Sequence, residues 1–241
     1  TQLEEVSIPS SVTSIGKFAF NKCSALAQVS IPPQLTTIEE GKFKFCVSLA
    51  KISIPSSATR IEKEGFYFCG SLKEIDISSS SSLTFIGEEA FRGNSELIEL
   101  SIPPSVNHIG KSAFCECYNL KGISLPSSLK IIEDYLLKFC YNLTKMNIPS
   151  SLTSIGIQSF ANCYKLKEVL IPPTLKHIGE GAFELCSSLK KVELPSSLTS
   201  INNSTIRCCL ALPEINVPSS VTSIGEFAFQ GCSKLKKISI P

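Results

Sequence analysis

Eleven cysteines and two histidines are the residues of this 241-residue chain with the widest chemical repertoire. Thiolates bind soft metals, paired thiols oxidise to disulfides, and a thiol beside an imidazole is a nucleophile. Nine of the cysteines form a column: Cys23, Cys46, Cys69, Cys117, Cys140, Cys163, Cys186, Cys209 and Cys232. Consecutive members are spaced by 23 residues, and the one gap is filled by Asn94. Cys115 and Cys208 stand off the column. Their spacings to Cys117 and Cys209 do not make a Cys-x-x-Cys knuckle and no histidine lies nearby in sequence, so no metal site is predicted. His108 and His177 occupy the same register three units apart, which at ~4.8 Å per unit separates them by ~14 Å. That is too far to share a metal or a substrate. No glycine loop that could cradle a phosphate and no paired carboxylates stand out. The chain is therefore predicted to be no enzyme, with no catalytic residue and no cofactor.

Such a column needs one short unit copied along the chain to position it. An apolar residue, usually followed by proline, recurs at Ile8, Ile31, Ile54, Ile77, Ile102, Leu125, Ile148, Ile171, Leu194, Val217 and Ile240, with nine intervals of 23 residues and one of 25. The long interval holds Ser78 to Ser82, where the proline is missing, and is expected to form a bulged surface turn. Leucine stands five residues before each anchor from Leu26 to Leu235, and Val, Ile, Leu or Met two before. Period-2 alternation of these positions with the anchor predicts a short half-buried strand, which proline ends because it donates no ladder hydrogen bond. Val12 and Ile15, with their equivalents, follow. Gly16, Gly87, Gly110, Gly156, Gly179 and Gly225 are then expected at a bend needing positive φ. A small residue and Phe close the unit, as in Ala19 and Phe20 or Ala113 and Phe114. Rings repeated at one level fill a continuous core, since each unit buries its apolar face only against its neighbours.

The composition agrees with a repeat architecture: no Trp, one Met and 14 Pro at near-regular intervals. A net charge of +2 gives no reason to expect nucleic acid, and no apolar run approaches the ~18 residues of a membrane span. The chain opens at Thr1 in mid-repeat with no basic and apolar leader, and its last unit stops within the strand. Residues 1–241 are expected to be a single solenoid of about ten 23-residue repeats, a segment of a longer protein whose uncapped ends continue into further repeats or associate end to end.

The consensus LxxVxIPxSLTSIGxxAFxxC resembles the BspA-like family of leucine-rich repeats over essentially the whole chain. The resemblance implies a curved leucine-rich-repeat solenoid with a parallel β-sheet on the concave face and short irregular or helical segments on the convex face. It also implies a cell-surface or extracellular protein acting in adhesion to host proteins or other cells; the alternative is a cytoplasmic structural scaffold, which reduced thiols would suit. In such a stack the cysteine side chains point the same way, and thiol and carboxamide share the ability to donate a hydrogen bond. The column with Asn94 is accordingly expected to be a buried, reduced ladder equivalent to the asparagine ladder of other leucine-rich repeats.

Binding is expected from a protein partner, without direct membrane insertion, on the positions that vary. One strand position gives Asn147, Glu193 and Asn216 among small polar residues; two residues earlier, a row of alternating charge runs Lys145, Glu168, Lys191, Glu214, Lys237. Tyr118, Tyr141 and Tyr164 follow the ladder cysteine in three successive units and form the second candidate patch. Acceptor triplets for glycosylation begin at Asn142, Asn202 and Asn203.

Overall fold

The computed structural model describes residues 2–77 and 82–240. Ser78 to Ser81, where the bulged turn was expected, lie outside the described residues. The chain winds into a parallel-strand solenoid of about ten turns, with two rows of short strands. The first row contains strands such as Gln28–Ser30, Lys51–Ile54, Glu74–Ile77, Gly122–Ser124 and Lys237–Ser239; the second contains two-residue strands from Thr37–Ile38 to Ser223–Ile224. Every pairing is parallel, and the partner of residue i is residue i+23, as in Gly122 and Lys145. Across the long interval Arg60 pairs with Phe85, so the register resumes after the two added residues.

Burial explains why the pattern folds this way. In strand Lys51–Ile54 the alternate residues Ile52 and Ile54 are buried while Lys51 and Ser53 are exposed. The proline that follows accepts a turn hydrogen bond, with Ala58 N donating to Pro55 O at 2.9 Å and Leu129 N to Pro126 O at 3.1 Å. Strand and turn are thus set by one residue that cannot extend the ladder. Phe20, Phe43, Phe66, Phe91 and Phe114 stack with centroids 5.3–5.6 Å apart. Leu137 interrupts the stack before Phe160 and Phe183 resume it at 5.3 Å. Lys42 occupies the level that elsewhere holds Ala90 or Ala113; its side chain is fully buried, Nζ donates to Thr37 O at 3.1 Å, and burial lowers its pKa to about 8.

Of the irregular or helical segments expected on the convex face, the helical form is absent: no residue described is helical. In its place each repeat has a turn segment with two residues at positive φ, for example Phe18 and Lys22, Glu64 and Phe68, Tyr135 and Phe139. Left-handed residues break a right-handed helix. The alternate amides also turn outward to the next repeat, with Phe18, Phe20 and Lys22 donating to the carbonyls of Glu40, Lys42 and Lys44 at 3.0, 2.9 and 2.7 Å. Those bonds between turns replace the bond to residue i−4 that a helix needs.

The glycines expected at a positive-φ bend are a second correction. Gly87, Gly110, Gly156, Gly179 and Gly225 are not among the positive-φ residues; Gly41, Gly93, Gly181 and Gly231 are. What Gly110 provides is close approach, because a Cβ there would lie 2.5 Å from Glu88 N and 2.7 Å from the carbonyl carbon of Gly87 in the preceding turn. Gly16 belongs to the first described turn, and a Cβ there would meet nothing within 4 Å.

Candidate functional site

The cysteine column lies inside the stack. Each Sγ from Cys46 onward donates to the carbonyl of the core residue 26 positions earlier: Cys46 to Phe20 at 3.1 Å, Cys69 to Phe43 at 3.0 Å, Cys140 to Phe114 at 3.3 Å, Cys232 to Ile206 at 3.0 Å. Asn94 substitutes with its Nδ2, which donates to Phe66 O at 3.1 Å and Phe91 O at 2.8 Å. Each of these thiols is thereby engaged with the carbonyl of a core residue. Burial pushes the thiols of Cys46 and Cys186 up to about 12, and those of Cys140 and Cys163 well above the ordinary value. All eleven cysteines are free. Among the described residues no group of three His, Cys, Asp or Glu side chains could hold a metal ion, and no helix is long and apolar enough to cross a membrane.

The charged row lies on adjacent strands of the first row, where Glu168 pairs in register with Lys191 and Glu214 with Lys237. Lys191 Nζ is 3.9 Å from Glu168 and 2.8 Å from Glu193, and Lys51 meets Glu74 at 2.7 Å. These carboxylates and ammonium groups are more than half exposed, so each pair contributes little to stability and the row remains a hydrated surface. Asn147 and Asn216 are exposed beside it, and Leu170 on the same face is 63% exposed. An aliphatic side chain so open to water is a feature that the sequence reading passed over, although Leu170 is the one apolar residue in a column of Ser, Asp, Asn and Glu.

The tyrosines stack upon one another: Tyr118 on Tyr141 and Tyr141 on Tyr164, each at 5.0 Å and within 13° of parallel. Stacking covers the ring faces that they turn toward one another. Tyr118 donates to Glu116 at 3.1 Å, and Glu116 also receives Arg92 at 2.6 Å, which ties the stack to the turn segments. Burial and the Glu116 carboxylate raise the Tyr118 phenol to about 12. Further ion pairs on the turn side join Lys44 to Glu64 at 2.5 Å and Arg207 to Glu184 at 2.9 Å.

A second feature missed in the sequence lies on the other strand row. The Arg60 guanidinium sits 3.8 Å from the Phe85 ring centroid, and the His108 ring stacks on Phe85 at 4.8 Å and 11°. The signal was present, since these residues occupy one register in three successive repeats, but the column reads as merely variable.

The sequence model described as "BspA type Leucine rich repeat region" matches six copies, over residues 1–84, 77–186 and 158–241. A leucine-rich repeat protein of Treponema pallidum is similar in structure, with a TM-score of 0.64 and 29% identity, covering 69% of this chain and 79% of that one. A leucine-rich cell surface protein of Faecalibacterium prausnitzii has a TM-score of 0.63 and 26% identity over 99% of this chain and 82% of its own. The pneumococcal vaccine antigen PcpA has a TM-score of 0.67 and 26% identity; the match covers 98% of this chain but 61% of that one. No curated protein matches the sequence.

Proposed function

Because the chain belongs to the BspA-type leucine-rich repeat family, we propose that it is a non-catalytic scaffold of a cell-surface adhesin or receptor, presenting its first strand row to a protein partner. One observation carries the reading: the inward positions repeat as apolar residues from turn to turn, whereas the exposed positions on that row change among Glu, Lys, Gln and Gly in one column and among Ser, Asp, Asn, Leu and Glu in the other. A face kept hydrated, shallow and varied on a rigid frame is suited to recognition by shape and charge. Similarity to a leucine-rich cell surface protein supports the surface location.

The test is saturable binding of the purified chain to intact cells. Replacing Lys145, Glu168, Lys191 and Glu214 with Ser is expected to weaken binding at least tenfold while the melting temperature stays within a few degrees. Replacing Tyr118, Tyr141 and Tyr164 with Ser tests the tyrosine stack separately. Binding unchanged by the first set would refute the strand-face reading; binding unchanged by the second removes the tyrosines from the site. Reduced thiols would also suit a second reading, an intracellular assembly scaffold, because oxidising compartments convert accessible thiols to disulfides, but the nine buried ones are shielded in either compartment. Locating the protein in fractionated cells separates the two.

A further inference from the structure

Gly122 is the anomaly on the first strand row. Every other strand in that row begins with Glu, Gln or Lys. Glycine inside a strand weakens it and is normally explained by a positive φ or by close approach of another backbone. Neither applies here: Gly122 is not among the positive-φ residues, and a Cβ on it would meet nothing within 4 Å. The fold has room for the side chain that the sequence leaves out. A hollow of about 530 Å³ lies over strands Glu99–Ser101, Gly122–Ser124 and Lys145–Asn147, comparable to those of about 500 and 430 Å³ elsewhere on the row, and on its middle strand no side chain rises from Gly122.

Charge defines what fits the hollow. Glu99 and Lys145 pair in register with Gly122 from opposite sides, so their strands are ~9.6 Å apart. Neither makes an ion pair among the described residues, unlike Lys51 with Glu74 in the same column. An acidic occupant would meet Glu99, a basic one Lys145, and an aliphatic one would desolvate both charges without pairing them. A neutral ring with a polar hydrogen satisfies both. We propose that Gly122 is the floor of a subsite for a tyrosine side chain on the protein partner, a proposal that rests on the strand-face reading above. The ring lies flat over the glycine backbone, the Lys145 ammonium faces its π cloud, and the phenol donates to the Glu99 carboxylate.

The probes are N-acetyl-tyrosinamide, N-acetyl-phenylalaninamide and N-acetyl-leucinamide, titrated into the whole chain while its backbone amide resonances are followed. The tyrosine derivative should shift Gly122 and Ser124 saturably, the phenylalanine derivative bind at least threefold more weakly, and the leucine derivative leave both unmoved. Gly122→Val should abolish the shifts, and Gly122→Ala should raise the melting temperature, since no structural role is lost. Overturning results are no saturable shift, equal shifts with the leucine derivative, shifts retained in Gly122→Val, or a lower melting temperature in Gly122→Ala. These probes need no partner, so tyrosine capture with cell binding unaffected by the charge-row substitutions keeps the subsite and rejects the adhesion reading. Lost cell binding with no capture does the reverse.

Discussion

Raising the pH past about 9 unfolds the solenoid steeply, with a melting temperature that is nearly constant between pH 7 and 8.5 and falls by tens of degrees by pH 10.5. In the unfolded chain a thiol ionises at the ordinary value of 9.0, whereas burial holds Cys46 and Cys186 protonated to about 12, pushes Cys69, Cys117 and Cys209 higher still, and raises Cys140 and Cys163 well above 9.0. Below 9 both states keep the proton and the ladder contributes its full stability. Above it the unfolded chain releases protons that the folded chain retains, so each buried thiol costs ~1.4 kcal/mol per pH unit. Several such thiols acting together reach the ~5–15 kcal/mol that holds a domain folded. Lys42 opposes them, because its folded value of about 8 lies below the ordinary 10.5 and stability from it grows as pH rises between the two. One lysine against seven thiols does not change the sign. Circular dichroism melts across this range in the presence of reductant are the measurement. The pair Cys140→Ser and Cys163→Ser should reduce the proton release on unfolding by about two, since serine keeps a donor but does not titrate here. A melting temperature flat to pH 11 would remove burial of the thiols from the account.

The second large effect is steric. Gly110→Ala is expected to destabilise the chain by ~1–3 kcal/mol, because its Cβ would lie within 3 Å of three backbone atoms that no rotamer change can move. Gly16→Ala, in the same column with open space around it, should stabilise by ~0.5–1 kcal/mol through the unfolded chain. Urea unfolding of the two variants separates them. Equal effects would show that the column is not there for close approach.

How much of this was legible in the sequence depends on where the physical constraint is recorded. The 23-residue period fixes which residues are neighbours on successive turns, so Lys51 beside Glu74 and Tyr118 on Tyr141 follow from register. The turn segment was not legible. Its positive-φ positions are filled by residues such as Phe18, Lys22 and Tyr135, which have no local signature for that conformation and are held there by hydrogen bonds to the next turn. Gly110 shows a different limit, since glycine marks positive φ and close approach alike and only the distance to Glu88 tells them apart. In the candidate site, the period aligned Glu99, Gly122 and Lys145, but whether the glycine served the fold depended on the space around it.

The residues with the most reactive chemistry in the sequence hold the scaffold as reduced, buried hydrogen-bond donors. Counting thiols with a chromogenic disulfide reagent, without reductant, tests that role directly. All eleven should react in denaturant, and in the native protein only the partly exposed Cys208 and Cys232 should react rapidly. Fewer than eleven in denaturant would mean that the column is cross-linked, and rapid reaction of most of them in the native state would mean that it is not buried.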